Sequence, residues 1–162
     1  MSTQQVTPTR LDTFLVNLQV EDPHSPGQWF DWGVWDTKAG GDLDSEERIY
    51  YPGGMYPSYS LGGRVVPAQI TLTRNYRIHR DHYHIQNLLD AVGVSRVTIQ
   101  QFPMDRYKNV YTPALVWHGT LKTVILPEHN SESTSDPGMI TVVASIDSAP
   151  SAVGANAKGS QP

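Results

Sequence analysis

Three histidines, His79, His82 and His84, fall within six residues. Imidazoles this close together are a common beginning of a metal site, but the spacing does not complete one. Zinc proteases place two histidines four apart on one helix face with a glutamate between them. Here a helix begun after Asp81 turns His82 and His84, two apart, to different faces. The reading is a solvated first helical turn without metal; His118, next to Trp117, reads as a packed or surface residue of a strand. Two carboxylate pairs, Asp42 with Asp44 and Glu46 with Glu47, sit in a glycine-rich stretch. General acid–base work needs carboxylates in a shaped pocket, so a solvated or interface role is expected for these. No G-x-S-x-G, phosphate loop or G-x-G-x-x-G is present, and Gly62–Gly63 reads as a turn. With no cysteine in the chain, disulfides and thiolate metal sites are excluded. The chain is expected to be no enzyme and to use no cofactor.

Aromatic side chains are the stronger signal. Trp29, Trp32 and Trp35 recur every three residues. In an extended chain that spacing alternates faces, so at least one should meet a neighbour or solvent. Tyr50, Tyr51, Met55, Tyr56 and Tyr59 lie among glycines and prolines in residues 36–63. Tryptophan and tyrosine are favoured at interfaces because they bury large area with few rotors. They also line carbohydrate-binding sandwiches. Arg74, Arg77 and Arg80 cluster just before a helical pattern.

The elements that must position these residues follow from periodicity. Phe14, Val16, Leu18 and Val20 alternate with polar residues, predicting a half-buried strand over 11–20. Residues 21–27 carry two prolines and a glycine and predict a turn; 29–35 read as extended. Residues 36–60 predict a long loop, an uncommon and often functional feature in a compact domain, with a short hairpin near 47–51 as an option. Residues 64–74 form a strand with Pro67 at its start or edge. A helix spans 81–92, with Asp81 as N-cap, Ile85, Leu88, Leu89 and Val92 on one face, and Gly93 ending it. Strands follow at 94–102, at ALVWHG and LKTVILP (two strands, or one bent strand), and at MITVVASID. Residues 103–113 and 127–138 are loops. Residues 1–10 are a flexible arm, 11–147 the domain and 148–162 a flexible tail. The sum is a mainly β fold, a sandwich or barrel of about six or seven strands with one flanking helix and a long loop.

A chain of 162 residues is one domain by length and can bury roughly two-thirds of its unfolded surface. The net charge of −4 argues against phosphate-backbone binding as the main function. The charge is uneven: residues 61–111 carry +4 and the segments before and after are acidic. That arrangement suits subunits meeting head to tail, and equally suits pairing within one monomer. No apolar run is long enough to span a membrane, and MSTQQVTPTR lacks the apolar core of a signal peptide, so synthesis in the cytoplasm is expected.

The order of WFDWGVWD, the loop 36–60, LGGRVVPAQITLTRN, the helix 81–92 and VWHGTLKTVILPE resembles the phage tail tube protein family, the major tail proteins. That fold is shared with the type VI secretion tube protein and with baseplate-hub proteins. The resemblance covers most of residues 11–147. It departs where the family often has a glycine after the strand's basic residue: here Asn75 follows Arg74. The resemblance implies a virion structural protein of the tail. Its subunits would form hexameric rings that stack into a tube, the lumen passing the genome on ejection without specific DNA binding. An acidic lumen would repel DNA phosphate. Tail-tip or baseplate, terminator and tape-measure proteins are the implied partners, with no membrane. On this reading Trp29, Trp32, Trp35, Tyr50, Tyr51, Met55, Tyr56, Tyr59, Arg74, Arg77 and Arg80 are assembly-interface candidates. The loop 36–60 is expected to be mobile in the monomer and to dock on the adjacent ring. The alternative from another class is a carbohydrate-binding β-sandwich using the aromatics at 29–35 and 50–59.

Overall fold

A computed structural model describes residues 14–54, 58–105, 107–148 and 150–153. The expected arm at 1–10 and the tail from residue 154 onward lie outside the described residues. The fold is mainly β: strands β1 (Phe14–Glu21), β2 (Trp29–Trp35), β3 (Thr37–Gly40), β4 (Leu43–Tyr50), β5 (Tyr59–Pro67), β6 (Ile70–Asn75), β7 (Arg96–Pro103), β8 (Ala114–Ile125), β9 (Met139–Ile146) and β10 (Ser151–Val153). One helical segment lies between β6 and β7. It begins as a π-helical turn at Ile78–His82 and continues as α1 (Tyr83–Ala91).

The main sheet runs β2-β1-β7-β8-β9-β6-β3 with every pairing antiparallel. Its two ends, β2 and β3, are one stretch of chain interrupted only at Asp36. The first half pairs with β1, where Val16 faces Trp35, and the second with β6, where Thr37 faces Thr73. The Asp36 amide donates to the Thr73 carbonyl across the join. One strand therefore serves both edges, and the sheet rolls into a barrel that hides those edges. Between the two sequence-level options, sandwich or barrel, only this long-range pairing decides.

Alternation fills the interior. Val16, Leu18 and Val20 from β1, Ile70 and Leu72 from β6, Val97 and Ile99 from β7, and Ile140, Val142 and Ala144 from β9 are all buried. The segments ALVWHG and LKTVILP are the single strand β8, whose register against β9 shifts between Leu121 and Thr123. The predicted strand 64–74 is two strands, β5 and β6, parted at Ala68–Gln69. Part of the predicted tail is ordered: β10 pairs with the start of β8, Ser151 facing Val116.

The helix departs from expectation in three ways. It starts earlier, at Ile78. Asp81 lies inside it, fully buried, and is not an N-cap. The buried face is Leu88 and Ala91, with Ile85 and Val92 partly covered, while Leu89 is 37% exposed. Gly93 does take the left-handed conformation, at φ 78°. Leu88→Ala is accordingly expected to cost roughly 2–5 kcal/mol in denaturant melts, and Leu89→Ala under about 1 kcal/mol. Equal losses for the two would mean that the helix packs through a different face.

Candidate assembly surfaces

Because β3 leads into β4 and β5 into β6, the ribbon does not stop at the barrel wall. Gly41 donates its amide to Gln69, and Ala68 donates to Asp42, at 3.2 and 2.9 Å. Those bonds join the β3–β6 ladder to the β4–β5 ladder, which continues from the Leu43–Pro67 pair to the Tyr50–Tyr59 pair. Residues 36–60, expected as a mobile loop, are thus mostly strand. With eight residues in β4 the arm reaches about 27 Å beyond the barrel.

The arm is anchored at a fixed bend. Gly40 and Gly41 both adopt positive φ, 88° and 83°, a conformation that strongly favours glycine. A Cβ on Gly40 would lie 1.9 Å from the Gln69 carbonyl oxygen. Trp117 donates its indole N–H to the Gly41 carbonyl at 3.2 Å. Lys38 lies 4.2 Å over the Trp117 ring and donates to the Gly40 carbonyl. Burial pulls the Lys38 ammonium below its ordinary pKa, opposed by Asp42.

Beyond the bend the arm has almost no cover from its own domain. Every residue of β4 is exposed, as are Tyr59, Leu61, Val65 and Val66 of β5. Leu43, Ile49 and Tyr50 stand about half exposed, at 48, 55 and 52%. A two-stranded ribbon with no packed face is at best marginally stable alone in water, and so broad an apolar surface marks an interaction site. Among the interface candidates, Tyr50, Tyr51 and Tyr59 lie on this arm or at its tip, exposed. Met55 and Tyr56 lie outside the described residues.

The other candidates are elsewhere. Trp29 is 47% exposed, but Trp32 and Trp35 are buried, which corrects the expectation that they offer themselves to a neighbour. Strict alternation fails here because Leu18 faces Gly33 and Gln19 faces Asp31, leaving Trp32 as the extra residue of a bulge. Gly33, at φ 74°, resets the strand so that tryptophans three apart both point inward. A carbohydrate platform over 29–35 therefore loses two of its three tryptophan rings.

Arg74 is likewise interior, at 0% exposure. It alternates with Ile70 and Leu72 on the buried face of β6. Its guanidinium donates to the Trp32 carbonyl and, at 2.5 Å, to Asp81 Oδ1. It also lies 4.6 Å from the Trp35 ring centre. Asp81 Oδ2 accepts the Arg77 amide at 2.9 Å. Burial lowers the Arg74 pKa from its ordinary value while Asp81 opposes the shift. Arg80 is exposed and donates to the Asp31 carbonyl at 2.8 Å. Arg74 and Arg80 thus each satisfy a backbone carbonyl of β2, at Trp32 and Asp31. Of the three arginines only Arg77 and Arg80 are exposed, which corrects the view that all three await a partner subunit. The signal for Arg74 was present in the sequence: an arginine in phase with a buried alternating face requires a carboxylate, and Asp81 lies seven residues on.

The histidines are held singly. His82 Nδ1 is 3.1 Å from the Tyr76 hydroxyl, and the His84 ring lies 4.6 Å from Phe30. Among the described residues no group of three or more His, Asp or Glu is placed to hold a metal ion, and no helix is long and apolar enough to cross a membrane.

No protein-family model and no curated protein matches the chain. Solved structures do match it. A chain in the cryo-EM structure of the anti-feeding prophage baseplate is 16% identical with a TM-score of 0.64, over 95% of this chain and 98% of that one. A chain from the tube-terminating cap of the anti-feeding prophage is 12% identical, TM-score 0.64, over 96% and 97%. A chain from the sheath–tube complex of an extracellular contractile injection system in its extended state is 14% identical, TM-score 0.60, over 90% and 93%. At these identities the likeness is one of fold, and it runs nearly end to end.

Proposed function

We propose that this chain is a structural subunit of a phage-tail-like particle. It forms hexameric rings that stack into a tube, with the lumen as the conduit for genome ejection and with tail-tip or baseplate, terminator and tape-measure proteins as its partners. The observation that carries the reading is the arm β4–β5: about 27 Å of two-stranded ribbon with almost every residue exposed. A neighbouring subunit supplies the surface it lacks. The whole-length likeness of fold to chains from baseplate, cap and sheath–tube structures supports the same role. So does the division of the exposed candidates. The tyrosines lie beyond one end of the barrel, among Asp42, Asp44, Glu46 and Glu47, whereas Trp29, Arg77 and Arg80 lie toward the other. Exposed candidates at both ends suit a head-to-tail contact, in which one end of a subunit meets the other end of the next. Purified protein at rising concentration is expected to form rings and then rods in negative-stain images, with light scattering rising in step. A monodisperse monomer at every concentration would overturn the reading.

A further inference from the structure

Strand β8 has twelve residues, so its ends are about 40 Å apart. At its C-terminal end the loop to β9 frames a cleft of about 400 Å³. Ile125, Leu126, Pro137 and Met139 give it apolar walls, and Glu128 and Asp136 make it acidic. Asp136 already accepts the Ser133 hydroxyl at 2.5 Å, whereas Glu128 is exposed at the rim.

At the N-terminal end of β8 stands a loop of the opposite character. Asp105 organises it, accepting the Tyr107 and Asn109 amides, the Asn109 side chain and the Tyr111 hydroxyl. The Asn109 amide and side chain, with the other donors, hold the Asp105 carboxyl below its ordinary pKa, so the acid is spent on the loop's own backbone. The loop presents Lys108, with Val110 and Tyr111 exposed beside it at 48 and 52%. Lys108 has φ 63°, the one positive φ of a non-glycine residue among the described residues. Such strain persists where the surrounding structure enforces it, and it collects at functional sites.

We propose that the β7–β8 loop of one copy seats in the β8–β9 cleft of the next, with Lys108 against Glu128 and with Val110 and Tyr111 over Ile125 and Leu126. The two surfaces are complementary in charge and in apolar character. They lie at opposite ends of the same strand, so one copy cannot join them to each other. Repetition along the barrel gives an open, head-to-tail series. This contact rests on the tube reading and adds to it a second axial junction, distinct from the arm.

The absence of cysteine in the chain makes the test clean. Lys108→Cys and Glu128→Cys are introduced together, assembly is induced, and a short bismaleimide is added. A ladder of covalent oligomers on a denaturing gel is expected from the double variant, and at most a trace from either single variant. Rods in micrographs without a ladder overturn this contact and leave the tube standing. Monomer under all conditions for the unaltered chain as well as for the double variant overturns both.

Discussion

Arg74→Glu is expected to leave no stable monomer. The side chain is fully buried and pairs with Asp81, so reversal puts two carboxylates face to face away from water. Removing one partner of a buried ion pair costs roughly 3–5 kcal/mol, because the survivor is stranded. Reversal adds repulsion to that loss, and a domain's total stability is only about 5–15 kcal/mol. The milder Arg74→Met should lose roughly 3–5 kcal/mol in guanidinium melts. Arg74→Met combined with Asp81→Asn should recover part of it, since the asparagine oxygen can still accept the Arg77 amide. A reversal of Arg74, Arg77 and Arg80 together is therefore no test of assembly: it would fail at folding. Arg77→Glu with Arg80→Glu is the better probe of surface charge. A loss below about 1 kcal/mol for Arg74→Met would mean that the pair is not the interior clamp described above.

Replacing residues 43–67 by Asn-Gly is expected to abolish assembly and spare the barrel. The cut follows the geometry. Ala68 already donates to the Asp42 carbonyl, the bond that closes a two-residue hairpin, and Asn-Gly is the favoured sequence for such a turn. A deletion of 38–58 would instead remove most of β3 and reopen the barrel. Seven apolar side chains on the arm are about half exposed: Leu43, Ile49, Tyr50, Tyr59, Leu61, Val65 and Val66. Covering the exposed half of each is worth roughly 1 kcal/mol, on the order of 7 kcal/mol gross per arm before ordering costs. That is comparable to the standard free energy of a micromolar contact, about 8 kcal/mol, so its loss should take polymerisation out of reach. The melting temperature should stay within a few degrees of the full chain. Rods formed by the truncated chain would remove the arm from the assembly mechanism. Amide exchange gives a second readout: the isolated ribbon should exchange fast in the monomer and slowly in the assembled state.

Much of the fold was legible in the sequence, and the parts that were share one property: they are local. Val16, Leu18 and Val20 alternate on their own strand, and Leu88 recurs at helical spacing, so the buried face of each is written within a few residues. Gly93 follows the last helical residues, where a left-handed residue is wanted. The missing cysteines exclude their chemistry outright. What the tertiary structure alone decided is non-local. Trp32 and Trp35 share the interior because a bulge set by pairing with β1 breaks the parity of β2. Asp81 looked like a cap until Arg74, arriving from β6, required a buried partner. The glycines and prolines of 36–60 looked like a loop because the strands there pack on no core of their own domain, and a hydrophobic pattern records most clearly a strand that does. Barrel closure was illegible for the same reason: it depends on one stretch, residues 29–40, pairing with β1 at one end and β6 at the other. Composition and periodicity report what a residue prefers to be near. Register and closure report which distant strand supplies it, and that is settled only when the whole sheet assembles.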